Sequence, residues 1–158
     1  MKHESVADAA DLRLLRAVQR DASVSQAELA AEAGISPSLV SRRLARLKET
    51  GVLRAVVGLI EPGRVGLSCA AIIRVRLRDH SAANVRAFRD VVQRMKEATF
   101  CVMLTGEADY LVKIVARDLP HFQEIVQSKL LRCSAIAHME SSIVLEYLKD
   151  TTELPLPD

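Results

Sequence analysis

The sequence predicts an α+β chain in two parts, a helical first third followed by a domain of alternating strands and helices. Three observations lead there. Near the N-terminus, apolar residues recur at helical spacing: Val6, Leu12, Leu15 and Val18. Beyond Gly66 they alternate singly, with Ile73, Val75 and Leu77 set against Arg74, Arg76 and Arg78. Between the two textures, Glu61-Pro62-Gly63 and Gly66 read as a linker. The implied domains are residues 1–58 and 68–158, joined by 59–67.

The first helix is expected over Ala7 to Arg20, with Asp8 and Asp11 early in it, where the helix dipole favours negative charge. Ser25 and Glu28 have capping-box spacing for a second helix, which Gly34 ends. Ser36 as N-cap and Pro37 at the first helical position start a third. Its buried stripe is Val40, Leu44 and Leu47, and Gly51 stops it. Val52 to Val57, with Gly58 as turn, is expected to form a small two-stranded wing. The second domain reads as strand Ala70–Arg78, helix Ala82–Met95, strands Thr99–Thr105 and Tyr110–Ala116 around a tight turn, helix Leu119–Leu131, and a last extended stretch Ile136–Leu148 broken at Ser141-Ser142. That order, βαββαβ, is the ferredoxin-like arrangement.

Composition excludes several functions. The chain has 158 residues and a net charge of +2, so any positive charge that meets nucleic acid must be local. Three Phe, two Tyr and no Trp argue against a base-stacking platform for single strands. Cys69, Cys101 and Cys133 are far apart and odd in number, which argues against a disulfide framework or zinc site. His3, His80, His121 and His138 are isolated. No Walker loop, GxGxxG or nucleophile elbow occurs, so no cofactor, metal or catalytic residue is expected. The acidic N-terminus and the lack of a long apolar run point to a cytoplasmic protein without a membrane segment.

Two constellations carry chemistry. Helices two and three around Gly34 have helix-turn-helix spacing, with Leu29, Ile35, Val40 and Leu44 as shared core and Ala30 small at the crossing. Ser36 to Arg54 holds five basic residues and one acidic residue, whereas Met1 to Ile35 is net acidic. Positive charge is thus concentrated where phosphates would be met. Candidate DNA-binding residues are Gln26, Ser36, Pro37, Ser38, Ser41, Arg42, Arg43, Arg46 and Arg54. Arg43 sits closest to the buried stripe, so its other role is to brace the helix. The competing reading is a structural helical hairpin with a solvated basic face. The second constellation is Gly106-Glu107-Ala108-Asp109-Tyr110, two carboxylates and a phenol beside a glycine hinge. Turn amides can hold a carboxylate and acidic side chains an ammonium. An ordinary hairpin turn, with Asp109 capping its own backbone, is the alternative. An enzyme using Glu107, Asp109 and Tyr110, and a sensor acting through protein partners, are the rival functions.

Taken together, these motifs resemble the Lrp/AsnC family of feast/famine regulators over nearly the whole chain. The resemblance rests on Asp11-Leu12-Arg13-Leu14, Leu29-Ala30, Gly34-Ile35-Ser36-Pro37-Ser38, Val40-Ser41-Arg42-Arg43-Leu44 and Gly51-Val52-Leu53, then on Leu104 to Leu111 and the closing Leu154-Pro155-Leu156. It implies a winged helix-turn-helix followed by a ligand-sensing and oligomerisation domain. It further implies binding to double-stranded DNA, dimers that assemble to tetramers or octamers, and a free amino acid as effector near the turn. The effector residues it implies are Met103, Leu104, Thr105, Gly106, Glu107, Ala108, Asp109 and Tyr110, with hydroxyls of Ser141 and Ser142. The chain departs from the family pattern at Glu107, where Asp is usual, and at Cys133-Ser134-Ala135-Ile136, where a Gly-Val turn is usual. It also lacks the usual Arg around Ala22-Ser23-Val24.

Overall fold

The computed structural model describes residues 7–157; Val6 and His3 lie outside them. The chain divides into two compact units, Met1–Leu59 with Lys149–Asp158, and Ile60–Leu148.

Among the described residues the first unit holds three helices, α1 (Ala9–Arg20), α2 (Gln26–Ala33) and α3 (Pro37–Glu49). Asp8 and Asp11 form a capping box on α1, and Ser25 and Glu28 form one on α2. Gly34 ends α2 at φ 68°, a left-handed conformation that favours glycine. Arg13 reaches over from α1, and its Nε donates to the Ala33 carbonyl at 3.0 Å, satisfying an acceptor that the end of α2 leaves open. Leu14, Ala17, Leu29, Ala30, Ala33 and Val40 make the core. Small residues at 17, 30 and 33 let the helices approach closely.

Three local expectations need correction. Ser36 takes the N-cap position, but its hydroxyl lies 3.1 Å from Ser38 Oγ and does not cap α3. Val52 to Val57 forms no strand. Gly58 lacks the positive φ that a two-residue hairpin turn requires, and a lone two-stranded ribbon has little to pack against. The closing segment packs with the helices, whereas the sequence assigns it to the second domain. The Gln19 amide donates to the Leu154 carbonyl at 2.9 Å and accepts from the Leu154 N–H at 3.1 Å. Arg16 donates to the Leu156 and Pro157 carbonyls.

The second unit contains β1 (Cys69–Leu77), α4 (Ala82–Arg94), β2 (Ala98–Met103), β3 (Tyr110–Ala116), α5 (Leu119–Ile125) and β4 (Ile136–Ile143). A wider π-helical turn, Val126–Leu130, continues α5. The four strands form an antiparallel sheet in the order β2-β3-β1-β4, as the βαββαβ pattern requires. Alternation sorts the two faces. Ala71, Ile73, Val75, Val112 and Ile114 are buried together with Phe88, Phe122, Ile125 and Leu130. Arg74 and Arg76 point the other way and are exposed. β4 runs unbroken through Ser141 and Ser142, which pair with Ile73 and Ile72. The expected Ser-Ser break is therefore absent: two serines cost little on an edge strand whose hydrogen bonds to β1 are made by backbone.

Candidate functional site

Ser36 at the N-cap of α3 and Pro37, Ser38, Ser41 and Arg42 on it are exposed, as are Gln26 at the start of α2 and Arg54 beyond α3. Val40 and Leu47 are fully buried and hold the opposite side of α3 inward. Pro37 at the first helical turn fixes the entry of the helix, because its missing N–H is one the helix does not need. This side of α3 therefore presents hydroxyls and a guanidinium without an apolar patch.

Arg43 and Arg46 are placed differently from Arg42. Arg43 Nη1 donates to Asp8 Oδ2 at 2.7 Å and to Asp11 Oδ1 at 3.0 Å. Arg46 donates to Asp11 Oδ2, which also accepts the Asp8 N–H at 3.0 Å. The hydrogen bond from Arg43 pulls the Asp8 pKa from 3.8 down to about 2. Among the described residues Arg42 has no side-chain partner.

In the second unit the β2–β3 loop starts earlier than the sequence suggests. The Leu104 N–H donates to the Asp109 carbonyl at 2.8 Å, closing a loop over Thr105 to Ala108. Gly106 sits within it at φ 113°, open to a glycine and strained for other residues. Asp109 anchors the loop. Its Oδ2 accepts the Leu77 N–H at 2.7 Å, and its Oδ1 lies 2.8 Å from His80 Nε2. The Leu77 N–H, then His80, hold the Asp109 carboxyl below the usual carboxylate range. Asp109 thus caps the end of β1 rather than its own turn. With both oxygens engaged, it is a poor general base, which weakens the enzyme reading.

An open hollow of about 640 Å³ lies beside this loop. Leu104, Thr105, Glu107 and Ala108 line it from the loop, Arg74, Val75 and Arg76 from β1, and His138 and Glu140 from β4. Arg74 Nε is 3.4 Å from Glu140 Oε2. Of the residues expected at an effector site, the hollow gathers Leu104, Thr105, Glu107 and Ala108. Gly106 and Asp109 shape the loop without lining it. Met103, Tyr110, Ser141 and Ser142 do not line it either. Tyr110 belongs to the helix-covered face, where its ring lies 4.6 Å from that of Phe88. Strand alternation accounts for this, because Tyr110 shares its face with the buried Val112 and Ile114.

Arg74, Arg76, His138 and Glu140 were not among the expected residues. The alternation that exposes Arg74 and Arg76 was legible in the sequence. Their meeting with His138 and Glu140 depends on the pairing of β1 with β4, Arg74 opposite Glu140 and Arg76 opposite His138.

Both ends of the chain match known families. Residues 8–54 match a winged helix-turn-helix DNA-binding family, and residues 70–154 match the Lrp/AsnC ligand binding domain. The HTH-type transcriptional regulator AldR of Mycolicibacterium smegmatis is 31% identical, over 93% of this chain and 86% of its own length. The leucine-responsive regulatory protein of Rhizobium meliloti is 30% identical, over 94% and 96%. A transcriptional regulator from Neisseria meningitidis, solved as a complex with L-methionine, superposes with a TM-score of 0.89 at 33% identity, over 94% of this chain and 96% of that one. With a helix-turn-helix at one end and that ligand-binding domain at the other, the chain belongs to the Lrp/AsnC family of DNA-binding transcriptional regulators.

Proposed function

We propose that this regulator senses a free amino acid in the hollow beside the β2–β3 loop and converts its occupancy into a change of assembly on DNA. The observation that carries the reading is the meeting of opposite charges with an apolar wall: Arg74 and Arg76 against Glu107 and Glu140, beside Leu104 and Ala108. An amino acid offers the complementary set. Its carboxylate suits a guanidinium and its ammonium a glutamate, while its side chain rests on the apolar wall. A hydrophobic or sulfur-containing amino acid fits that wall best, and the relative solved with L-methionine supports the choice.

On the DNA side, α3 lies in the major groove, and Ser36, Ser38, Ser41 and Arg42 face base edges and phosphates. Gln26 and Arg54 flank that contact. Two copies pair through the open sheet face, where Ile72, Leu111 and Val115 are half-buried and Phe100 is exposed. The pair sets two recognition helices in successive grooves, about 34 Å apart. Pairs then associate into tetramers or octamers, and the effector favours one assembly by binding it more tightly.

Thermal unfolding of the full-length protein, with each proteinogenic amino acid in turn, tests the effector reading. A ligand at a hundred times its Kd adds about 2.7 kcal/mol to the folded state. At least one amino acid is expected to raise Tm and to shift the sedimentation of the free protein. Glu107→Gln and Arg76→Met are expected to abolish both effects. No response to any amino acid, or a response that both variants retain, rejects the site.

A further inference from the structure

The three arginines of α3 are not equivalent, and the difference originates on α1. Asp8 and Asp11 first serve their own helix: the Asp8 carboxylate accepts the Asp11 N–H at 2.9 Å, and the Asp11 carboxylate accepts the Asp8 N–H. The same two carboxylates then receive Arg43 and Arg46 from α3. Asp11 is fully buried, so its charge needs these partners in place. Two carboxylates against two guanidiniums make a neutral cluster. Of the four cations on α3, Arg42 and Lys48 stand outside it.

Asp8, Arg42, Arg43 and Arg46 together line a hollow of about 310 Å³. Three arginines suit a phosphate, but an anion there also meets the Asp8 carboxylate in the same lining. Arg43 and Arg46 already carry carboxylate counter-ions, which offset the charge they offer a phosphate. Among the described residues Arg42 has no such counter-ion.

From this geometry we infer that Asp8 and Asp11 form a positioning clamp: they hold Arg43 and Arg46 to fix the roll of α3 on α1, leaving Arg42 as the arginine that engages DNA. The inference rests on α3 being the helix that meets DNA. Asp8, Asp11, Arg43 and Arg46 are positioning residues in this scheme. They contribute to sequence discrimination by setting where Arg42, Ser38 and Ser41 point.

Salt dependence separates a clamp from a contact, because each phosphate neutralised adds about 0.9 to the slope of log K against log salt. Binding is measured with the full-length protein on two duplexes of equal length, one selected by the protein from a random pool and one of random sequence. Arg42→Met is expected to lower the slope by about 0.9 per copy bound and to weaken binding to the selected duplex about tenfold or more. The matched pair Asp11→Asn with Arg46→Met removes both charges and orphans neither. It is expected to keep the wild-type slope on both duplexes while the preference for the selected one falls several-fold. Asp8→Asn with Arg43→Met is the second matched pair, nearer the surface, and keeps the test open if the first fails to fold. A slope loss in either pair equal to that of Arg42→Met overturns the clamp. So does an unaltered slope with unaltered preference. If Arg42→Met also leaves slope and affinity unchanged, the failure lies in the assignment of α3 as the DNA-facing helix.

Discussion

Asp11 is the one charged side chain that is fully buried among the described residues, and its neighbours explain how the helical unit tolerates it. Arg43, Arg46 and the Asp8 N–H satisfy its oxygens. Removing one partner of a buried ion pair costs about 3–5 kcal/mol, so Asp11→Ala should lower stability by about that much in a denaturant titration. Asp8 is more exposed and its pairing with Arg43 is worth less, about 1 kcal/mol at most. Its folded pKa of about 2 lies below the ordinary 3.8. The pairing therefore stabilises fully above pH 3.8 and is lost as pH falls through about 2. Asp8→Asn keeps a good N-cap, so its deficit should be present at pH 5 and shrink as pH falls through about 2. A deficit of undiminished size there would place the effect in capping instead. Tyr110 tests the other unit. Its hydroxyl is buried and meets no hydrogen-bond partner among the described residues. Tyr110→Phe should leave stability unchanged or raise it by about 1 kcal/mol, and should not alter the effector response. Loss of that response in a folded variant would return Tyr110 to the effector site.

At the scale of elements, the β2–β3 loop shows how one residue's backbone conformation sets the shape of a turn. Gly106 has a φ that L side chains avoid, and a Cβ added there meets nothing within 4 Å. The cost of a substitution is therefore backbone strain rather than collision, about 1–3 kcal/mol. Gly106→Val should displace Thr105 and Glu107, abolish the effector-induced Tm shift, and leave DNA binding by the effector-free protein intact. Titration calorimetry and a DNA-binding assay on one preparation would check both halves. The helices were the most legible elements, because their signals are local. The Ser25–Glu28 spacing, Gly34 and Pro37 each act within one turn of the chain. The wing was misread for the same reason. Val52 to Val57 has strand-like residues, but a strand needs a partner, and among the described residues the segment has none.

For the whole molecule, the two units have separate cores, one around Leu14 and Val40, the other around Phe88, Ile73 and Ile114. Independent cores predict separable unfolding. Phe88→Ala should lower one calorimetric transition by about 3–5 kcal/mol and leave the other in place. A single transition that shifts as a whole would mean the units unfold as one. The chain leaves the helical unit at Leu59 and returns to it at Lys149, so the sheet unit is inserted between its two parts. Nothing local in the closing segment announces this. Its docking depends on Arg16 and Gln19, more than a hundred residues earlier in the chain.

What the sequence determined by itself was whatever depends on neighbours along the chain. Helix starts and stops, the inward alternation of Ile73, Val75 and Leu77, the order βαββαβ, and the concentration of positive charge on α3 were all readable, because dihedral preference and side-chain period act over a few residues. Tertiary structure decided which charges are free. It turned Arg43 and Arg46 back to Asp8 and Asp11, committed Asp109 to Leu77 and His80, buried Tyr110 against Phe88, and set Arg74 and Arg76 beside Glu140 and His138. Each of these joins residues distant in sequence. A charge pattern in one dimension records how many cations a helix carries, and only the folded chain determines which of them already have a counter-ion.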